Sequence, residues 1–213
     1  LEEWGFVHWG TKQTQNEIEQ VLVRDFRKLI NPKPQLSFPY VSRLSNKFIV
    51  SIYPDYHTDL FPDSILNNES SEEFVENEPH RNALKKVFIS RSFNRNLNPG
   101  DIILFYRTGG HYQGVVSTLG IVDSVIKNIT SEEKFVELCR KRSVFSDEEL
   151  KKHWNHNPNY RPFIVNFFYV DSFPTPKVNL KRLLELKIIN SAPRGFEPIE
   201  NSKFDELMRE ARA

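Results

Sequence analysis

Arginine beside an aromatic ring is the pairing that recurs along this chain. Arg91-Ser92-Phe93 and Tyr106-Arg107-Thr108 are two instances, Arg142 followed closely by Phe145 is a third, and Arg194-Gly195-Phe196 is a fourth. A guanidinium is a planar fork of donors that matches a phosphate or the edge of a guanine, and a neighbouring ring offers a stacking face. Each pair reads equally well as a surface arginine beside a packed ring. Alternation along a strand bears on one of them. If Phe105 faces the core, Tyr106 faces the other way and is free for a ligand.

The most unusual string is Tyr53-Pro54-Asp55-Tyr56-His57-Thr58-Asp59-Leu60-Phe61-Pro62-Asp63. Rings punctuated by prolines make a stiff loop in which Tyr53, Tyr56 and His57 either stack on a base or clamp the segment onto its neighbours. Arg140-Lys141-Arg142 ends a helical pattern, where cations suit the dipole with or without a phosphate to bind. His153 and His156, three apart, share a helix face, but no cysteine or carboxylate at matching spacing completes a metal site. Cys139 is the only cysteine, so neither an internal disulfide nor a cysteine cluster is open to the chain, and it reads as a core residue. No Gly-x-Ser-x-Gly, P-loop or His-Glu-x-x-His occurs.

The elements that must hold these residues are legible in outline. Asn98-Pro99-Gly100-Asp101 is a turn that feeds a strand, Ile102 to Tyr106. Arg107 to Gly114 holds three glycines and reads as a loop reversing the chain. Val115 to Val125 returns as a strand. Earlier, Trp4 to Trp9 and Ile18 to Arg24 form two strands about a polar turn, and Lys47 to Ile52 forms another. Asn31 to Pro39, with three prolines, reads as a linker, and the acidic run Asn67 to Pro79 as an exposed loop or the weak start of a helix. Ser131 and Ser146 cap two helices that run to Cys139 and about Trp154, the second with the capping-box spacing Ser146-x-x-Glu149. Phe163 to Val170 is a buried strand. Asn179 to Leu186 and Lys203 to Arg209 are helices.

The stretch from Lys86 to Val125, with its Gly-Asp turn and aromatic strand, resembles the PUA-like superfamily, whose PUA, EVE, ASCH and YTH members mostly bind RNA or modified bases. Leu1 to Lys12 followed by Ile18 to Phe26 resembles the last helix end and final strands of a GNAT acetyltransferase, with Gly5-Phe6 at the helix-to-strand junction. Strings similar to Tyr53–Leu66 stand where GNAT and PUA-like domains are joined. The resemblance implies an α+β fold: a PUA-like mixed β-barrel with peripheral helices, preceded by the C-terminal β-hairpin of a GNAT fold. The division expected is 1–27 for the GNAT strands, 28–79 for a linker and aromatic connecting segment, and 80–213 for the PUA-like domain. Acetyl-CoA is implied for a GNAT body that this sequence lacks, and no cofactor for this chain. The GNAT pyrophosphate loop occurs nowhere here, and Leu1 stands where many members carry a tyrosine acid.

The expected function is a module that binds RNA or a modified nucleic acid beside its own or an associated acetyltransferase domain. Its candidate ligand-binding residues are Arg91, Ser92, Tyr106, Arg107, Thr108, Arg142, Phe145, Tyr56, His57 and Arg194. A net charge of +1 excludes duplex binding by bulk charge, so any nucleic-acid site must be local. That near-neutrality keeps two alternatives open: a protein-interaction or regulatory scaffold, and an enzyme in its own right. With no apolar run of spanning length and no signal peptide, the expectation is a cytoplasmic chain with no membrane partner.

Overall fold

The computed structural model describes residues 1–26, 32–64, 66 and 79–212. Its frame is a six-stranded sheet in the order β4-β7-β6-β5-β3-β8. The strands are β3 (Lys47–Ile52), β4 (Lys85–Ser90), β5 (Ile102–Arg107), β6 (Val115–Ile126), β7 (Phe163–Ser172) and β8 (Glu197–Ile199). Two further strands, β1 (Val7–Gln13) and β2 (Ile18–Val23), pair only with each other. The helices are α1 (Pro34–Ser37), α2 (Pro54–Leu60), α3 (Gly110–Gln113), α4 (Glu132–Cys139), α5 (Asp147–Asn155), α6 (Leu180–Glu185) and α7 (Asn201–Glu210).

The turn before β5 is locked by its own side chain. Asn98 donates its backbone N–H to Asp101 Oδ2 at 2.7 Å, Gly100 takes a φ of 90°, and Asn46 donates to Asp101 Oδ1 at 3.1 Å. This ties the start of β3 to the start of β5, which run parallel from Lys47↔Ile102 to Ile52↔Arg107. All other pairings in the sheet are antiparallel. Register shifts at Phe105/Tyr106, Leu119/Gly120 and Val122/Ser124 interrupt the long central ladders. Bulges of this kind bend and twist a sheet, and here they curl it into a half-barrel.

Both faces of the central strands are covered. Phe48, Val50, Ile103, Phe105, Phe163 and Phe167 point into the concave interior. Ile49, Ile102, Leu104, Tyr106 and Val116 point the other way and meet Leu183 of α6 with Phe204 and Leu207 of α7. A third cluster packs Phe135, Cys139, Leu150 and Trp154 of α4 and α5 on Val87 and Ile164, closing the outside of the β4–β7 pair. Ser131 accepts from Lys134 N, and Ser146 and Glu149 form a complete capping box, so both helices begin where their caps predict.

Two sequence expectations change. The segment from 28 to 79 is more than a linker, because β3 lies inside the six-stranded sheet and α2 buries His57, Thr58 and Leu60. A boundary at residue 80 would divide strands that pair with one another. The reading of 67–79 as a loop or weak helix falls, apart from Pro79, outside the described residues. The hairpin does form, with its second strand where expected and its first shifted from Trp4–Trp9 to Val7–Gln13, and it is anchored at its base. Trp4 meets Phe38 and Phe168 edge-on at 5.7 and 5.1 Å, and Arg24 donates to the Leu36 and Phe38 carbonyls at 2.9 and 2.6 Å. Among the described residues no helix is long and apolar enough to cross a membrane.

Candidate functional site

A cleft of about 680 Å³ opens at one end of the half-barrel. Three stretches of backbone make it. Val50 to Tyr53 is where β3 gives way to α2, Val87 to Asn94 is β4 and the extended run beyond it, and Pro193 to Glu197 is the loop leading into β8. Its inner surface is apolar because it is the open end of the concave core: Val50, Leu60, Phe88 and Phe196 all belong to that cluster or pack on it.

One wall is a row of rings. Tyr53 and Tyr56 stand with centroids 6.4 Å apart, Tyr56 and Phe145 4.7 Å, and Phe145 and His153 4.3 Å. Pro54 at the first position of α2 fixes the backbone that aims the two tyrosines, and the Ser146 cap fixes Phe145 directly before α5. His153 is half-buried, and its pKa is lowered by that burial and by the nearby Arg91 and His156 charges, with Glu149 opposing. At the rim stand Arg91, Phe93 and Arg194, with Phe93 91% exposed. Neither guanidinium has a hydrogen bond or ion pair among the described residues. Both are available to a ligand.

The structure therefore brings Arg91, Ser92, Thr108, Tyr56, Phe145 and Arg194 to one cleft. Ser92 is there as a fastener. Its Oγ accepts the Phe196 N–H at 3.1 Å, and a Cβ on Gly195 would lie 2.6 Å from that oxygen. The side chain thus pins the β8 loop across the cleft, and Gly195 is the residue that lets the two chains approach so closely.

Four candidates do not serve as read. Tyr106 does turn away from Phe105 as alternation requires, but the face it meets is covered by α6 and α7, leaving it 1% exposed. Its hydroxyl also lies where a Cβ on Gly114 would stand, 2.1 Å away. Burial pushes the Tyr106 pKa up. Arg107 is buried and donates to the Thr108 and Gln113 carbonyls at 3.3 Å, bracing the β5–β6 connection. His57 is fully buried, with Nε2 2.7 Å from Ser117 Oγ. Loss of solvent, together with the charges of Arg107 and Lys177, lowers its pKa to about 3, so it stays neutral. Arg142 is exposed, but it donates to the Lys85 carbonyl at 3.2 Å and exchanges backbone contact with Val87 instead of facing the cleft. Arg140 of the same basic run pairs with Asp147.

Phe93, His153 and Phe88 are not among the candidate ligand contacts named from sequence, although Phe93 is the ring of the Arg91-Ser92-Phe93 pairing, two residues beyond the arginine. His153 was weighed only as a metal ligand. No group of three or more metal-ligating side chains comes together among the described residues. Cys139 is buried in the α4–α5 cluster, with its thiol pushed up to about 12 by desolvation, which leaves it unreactive.

No protein-family model matches this sequence, and no curated protein matches it. The fold does have solved counterparts. The ASCH protein of Zymomonas mobilis is 12% identical, with a TM-score of 0.54, and the match covers 79% of this chain and 96% of that one. Two single-substitution variants of the same protein, one serine-to-alanine and one tyrosine-to-phenylalanine, give TM-scores of 0.53 and 0.54 at 12% and 11% identity. These cover 77% and 76% of this chain and 95% and 96% of theirs. The fold is thus an α+β half-barrel with peripheral helices, similar to that of the Zymomonas mobilis ASCH protein.

Proposed function

We propose that this chain binds single-stranded RNA or a modified nucleotide in the aromatic cleft. The observation that carries the reading is the coincidence of a ring-lined, apolar recess with two uncommitted arginines, Arg91 and Arg194, at its rim. A base is flat and apolar on its faces and polar at its edge and phosphate. The Tyr53–Tyr56–Phe145 row supplies the faces, and the arginines supply the forked donors. A PUA-like frame supports this by analogy alone. The test is a titration with labelled single-stranded RNA, tRNA, and plain and methylated DNA at two salt concentrations. Salt-dependent binding to one of them, weakened by Arg91→Ala, supports the reading. Salt-insensitive binding to a peptide, or no binding to any nucleic acid, defeats it.

A second reading rests on the hairpin. Trp9, Ile18 and Val7 are 76%, 70% and 59% exposed, and β1 and β2 take no partner from the six-stranded sheet. Its resemblance to the last strands of a GNAT fold makes an acetyltransferase body the occupant of that surface, with acetyl-CoA bound there and not in this chain. In this reading the half-barrel is a regulatory or delivery module of that enzyme. Pull-down of an acetyltransferase domain that is lost on Trp9→Ser would support it.

A further inference from the structure

A smaller recess of about 260 Å³ lies beside the cleft. Tyr56, Arg91 and His153 belong to both, and Glu149, Lys152 and His156 close the outer side. Lys152 and His156 are four apart on α5 and its C-cap, which sets them one turn above the other on the same face. Arg91 reaches the recess from the run after β4, so two separate elements supply its donors. Arg91, Lys152 and His156 are exposed, and none of their side chains has a hydrogen bond or ion pair among the described residues. The one anion present is already engaged: Glu149 Oε2 accepts from both N and Oγ of Ser146 at 2.9 Å in the capping box.

Building on the base-binding reading of the cleft, we propose that this recess is the phosphate subsite of a single-stranded nucleic acid. Arg91, Lys152 and His156 are its contacts. A flat apolar slot and a cationic slot sharing a wall of Tyr56, Arg91 and His153 match a nucleotide, whose ring and phosphate are joined through one sugar. An acidic peptide would use the cationic slot but has nothing to place against the row of rings. His153, packed on Phe145 and with its pKa lowered by burial, lines both slots. The site reads backbone and not sequence.

The test measures anisotropy of a labelled, mixed-sequence RNA decamer between about 50 and about 200 mM salt. The proteins are wild type, Lys152→Gln, Lys152→Gln/His156→Gln, Lys151→Gln as a neighbouring exposed lysine outside the recess, and Tyr53→Ala in the cleft alone. Loss of Lys152 is expected to make the plot of log affinity against log salt shallower by about 0.7 and to weaken low-salt binding roughly 3- to 10-fold. Lys151→Gln should leave the slope unchanged, and Tyr53→Ala should lower affinity at constant slope. Equal slopes for wild type and both Lys152 variants, with Tyr53→Ala still impaired, overturn the phosphate subsite and leave the base-binding reading standing. Failure of wild type to bind the decamer overturns the subsite, and failure to bind tRNA and methylated DNA as well overturns the base-binding reading too. Lys152-dependent binding of a glutamate decapeptide in place of the RNA overturns the subsite in favour of a peptide site.

Discussion

His57 Nε2 and Ser117 Oγ meet at 2.7 Å inside the half-barrel, at the end of a chain of hydroxyls. Ser117 lies 3.2 Å from Thr118 Oγ1, Thr118 donates to Ser64 at 2.8 Å, and Ser64 donates to Ser172 at 2.8 Å. Ser117 also donates to the Phe105 carbonyl at 3.3 Å. With that proton committed, His57 donates from Nε2, and its buried Nδ1 has no partner among the described residues. A second proton on that ring would be an unpaired donor in an apolar surround, which is why the neutral form is held so firmly.

Stability should consequently fall with acid. The pKa of His57 is lowered from 6.5 to about 3 on folding, so between those values the unfolded chain binds a proton that the native chain refuses. The contribution is complete above pH 6.5 and drains away as pH drops, at about 1.4 kcal/mol per pH unit, until about pH 3. Urea unfolding of wild type and His57→Gln at pH 4 to 7 checks this. The variant starts less stable and shows a flatter profile; parallel profiles would assign the acid sensitivity elsewhere.

Tyr106 and Gly114 should behave as a packing pair and not as ligand contacts. Gly114→Ala drives a methyl into the Tyr106 hydroxyl and the Gly110 carbonyl, with an expected loss of about 1–3 kcal/mol. Tyr106→Phe, which removes only the oxygen nearest that methyl, should relieve part of the loss in the double variant. RNA affinity should be unchanged in Tyr106→Phe, and a large drop there would contradict its burial.

The arginines should separate into two groups. Arg91→Ala and Arg194→Ala are expected to weaken nucleic-acid binding by about 1–3 kcal/mol each where they meet a base edge, with little change in melting temperature. Arg142→Ala, whose guanidinium holds the Lys85 carbonyl, should leave binding intact. Equal losses for all three would point to diffuse charge in place of a built site.

Ser92 and Gly195 offer a test of how the cleft is shaped. Gly195→Ala forces the β8 loop away from Ser92, and Ser92→Ala removes the acceptor for the Phe196 N–H. Both should reduce ligand affinity by widening the cleft, and Ser92→Ala should cost about 0.5–1.5 kcal/mol of stability for the lost bond. The double variant is expected to recover part of the Gly195→Ala defect, since the clash is with the very oxygen that Ser92→Ala deletes.

The local signals proved legible. The Asn98–Asp101 turn, the Ser131 and Ser146 caps and the aromatic strand beginning at Ile102 each rest on interactions within a few residues, and each stands where its sequence places it. What escaped depends on pairing at long range. Nothing in Lys47–Ile52 announces that its partner is Ile102–Arg107, so β3 read as part of a connecting segment. Tyr106 illustrates the same gap from the other side. Alternation gives the face on which a residue lies but not what covers that face, and here α6 and α7, more than seventy residues later in the chain, decide it. At the cleft, Arg91, Tyr56, Phe145 and Arg194 could be proposed singly, since residue type alone suggests the chemistry. Their convergence follows only from the curl of the sheet.

The parallel pairing of β3 with β5 also fixes an order of events during synthesis. β3 emerges before either of its partners, so one of its edges must wait for residues 102–107 and the other for residues 197–199. Until the last of these leaves the ribosome, the strand Lys47–Ile52 carries an apolar, unpaired edge of the kind that templates association between nascent chains. Lys47 itself answers part of that hazard. Its ammonium binds the Ser45 carbonyl two residues away at 2.7 Å, an acceptor available from the outset, whereas its bond to Asn201 Oδ1 at 2.6 Å forms only when α7 docks. β8 thus closes the last edge of β3 and α7 latches it through Lys47, so cells slowed in translating residues 197–210 should accumulate this chain in aggregates.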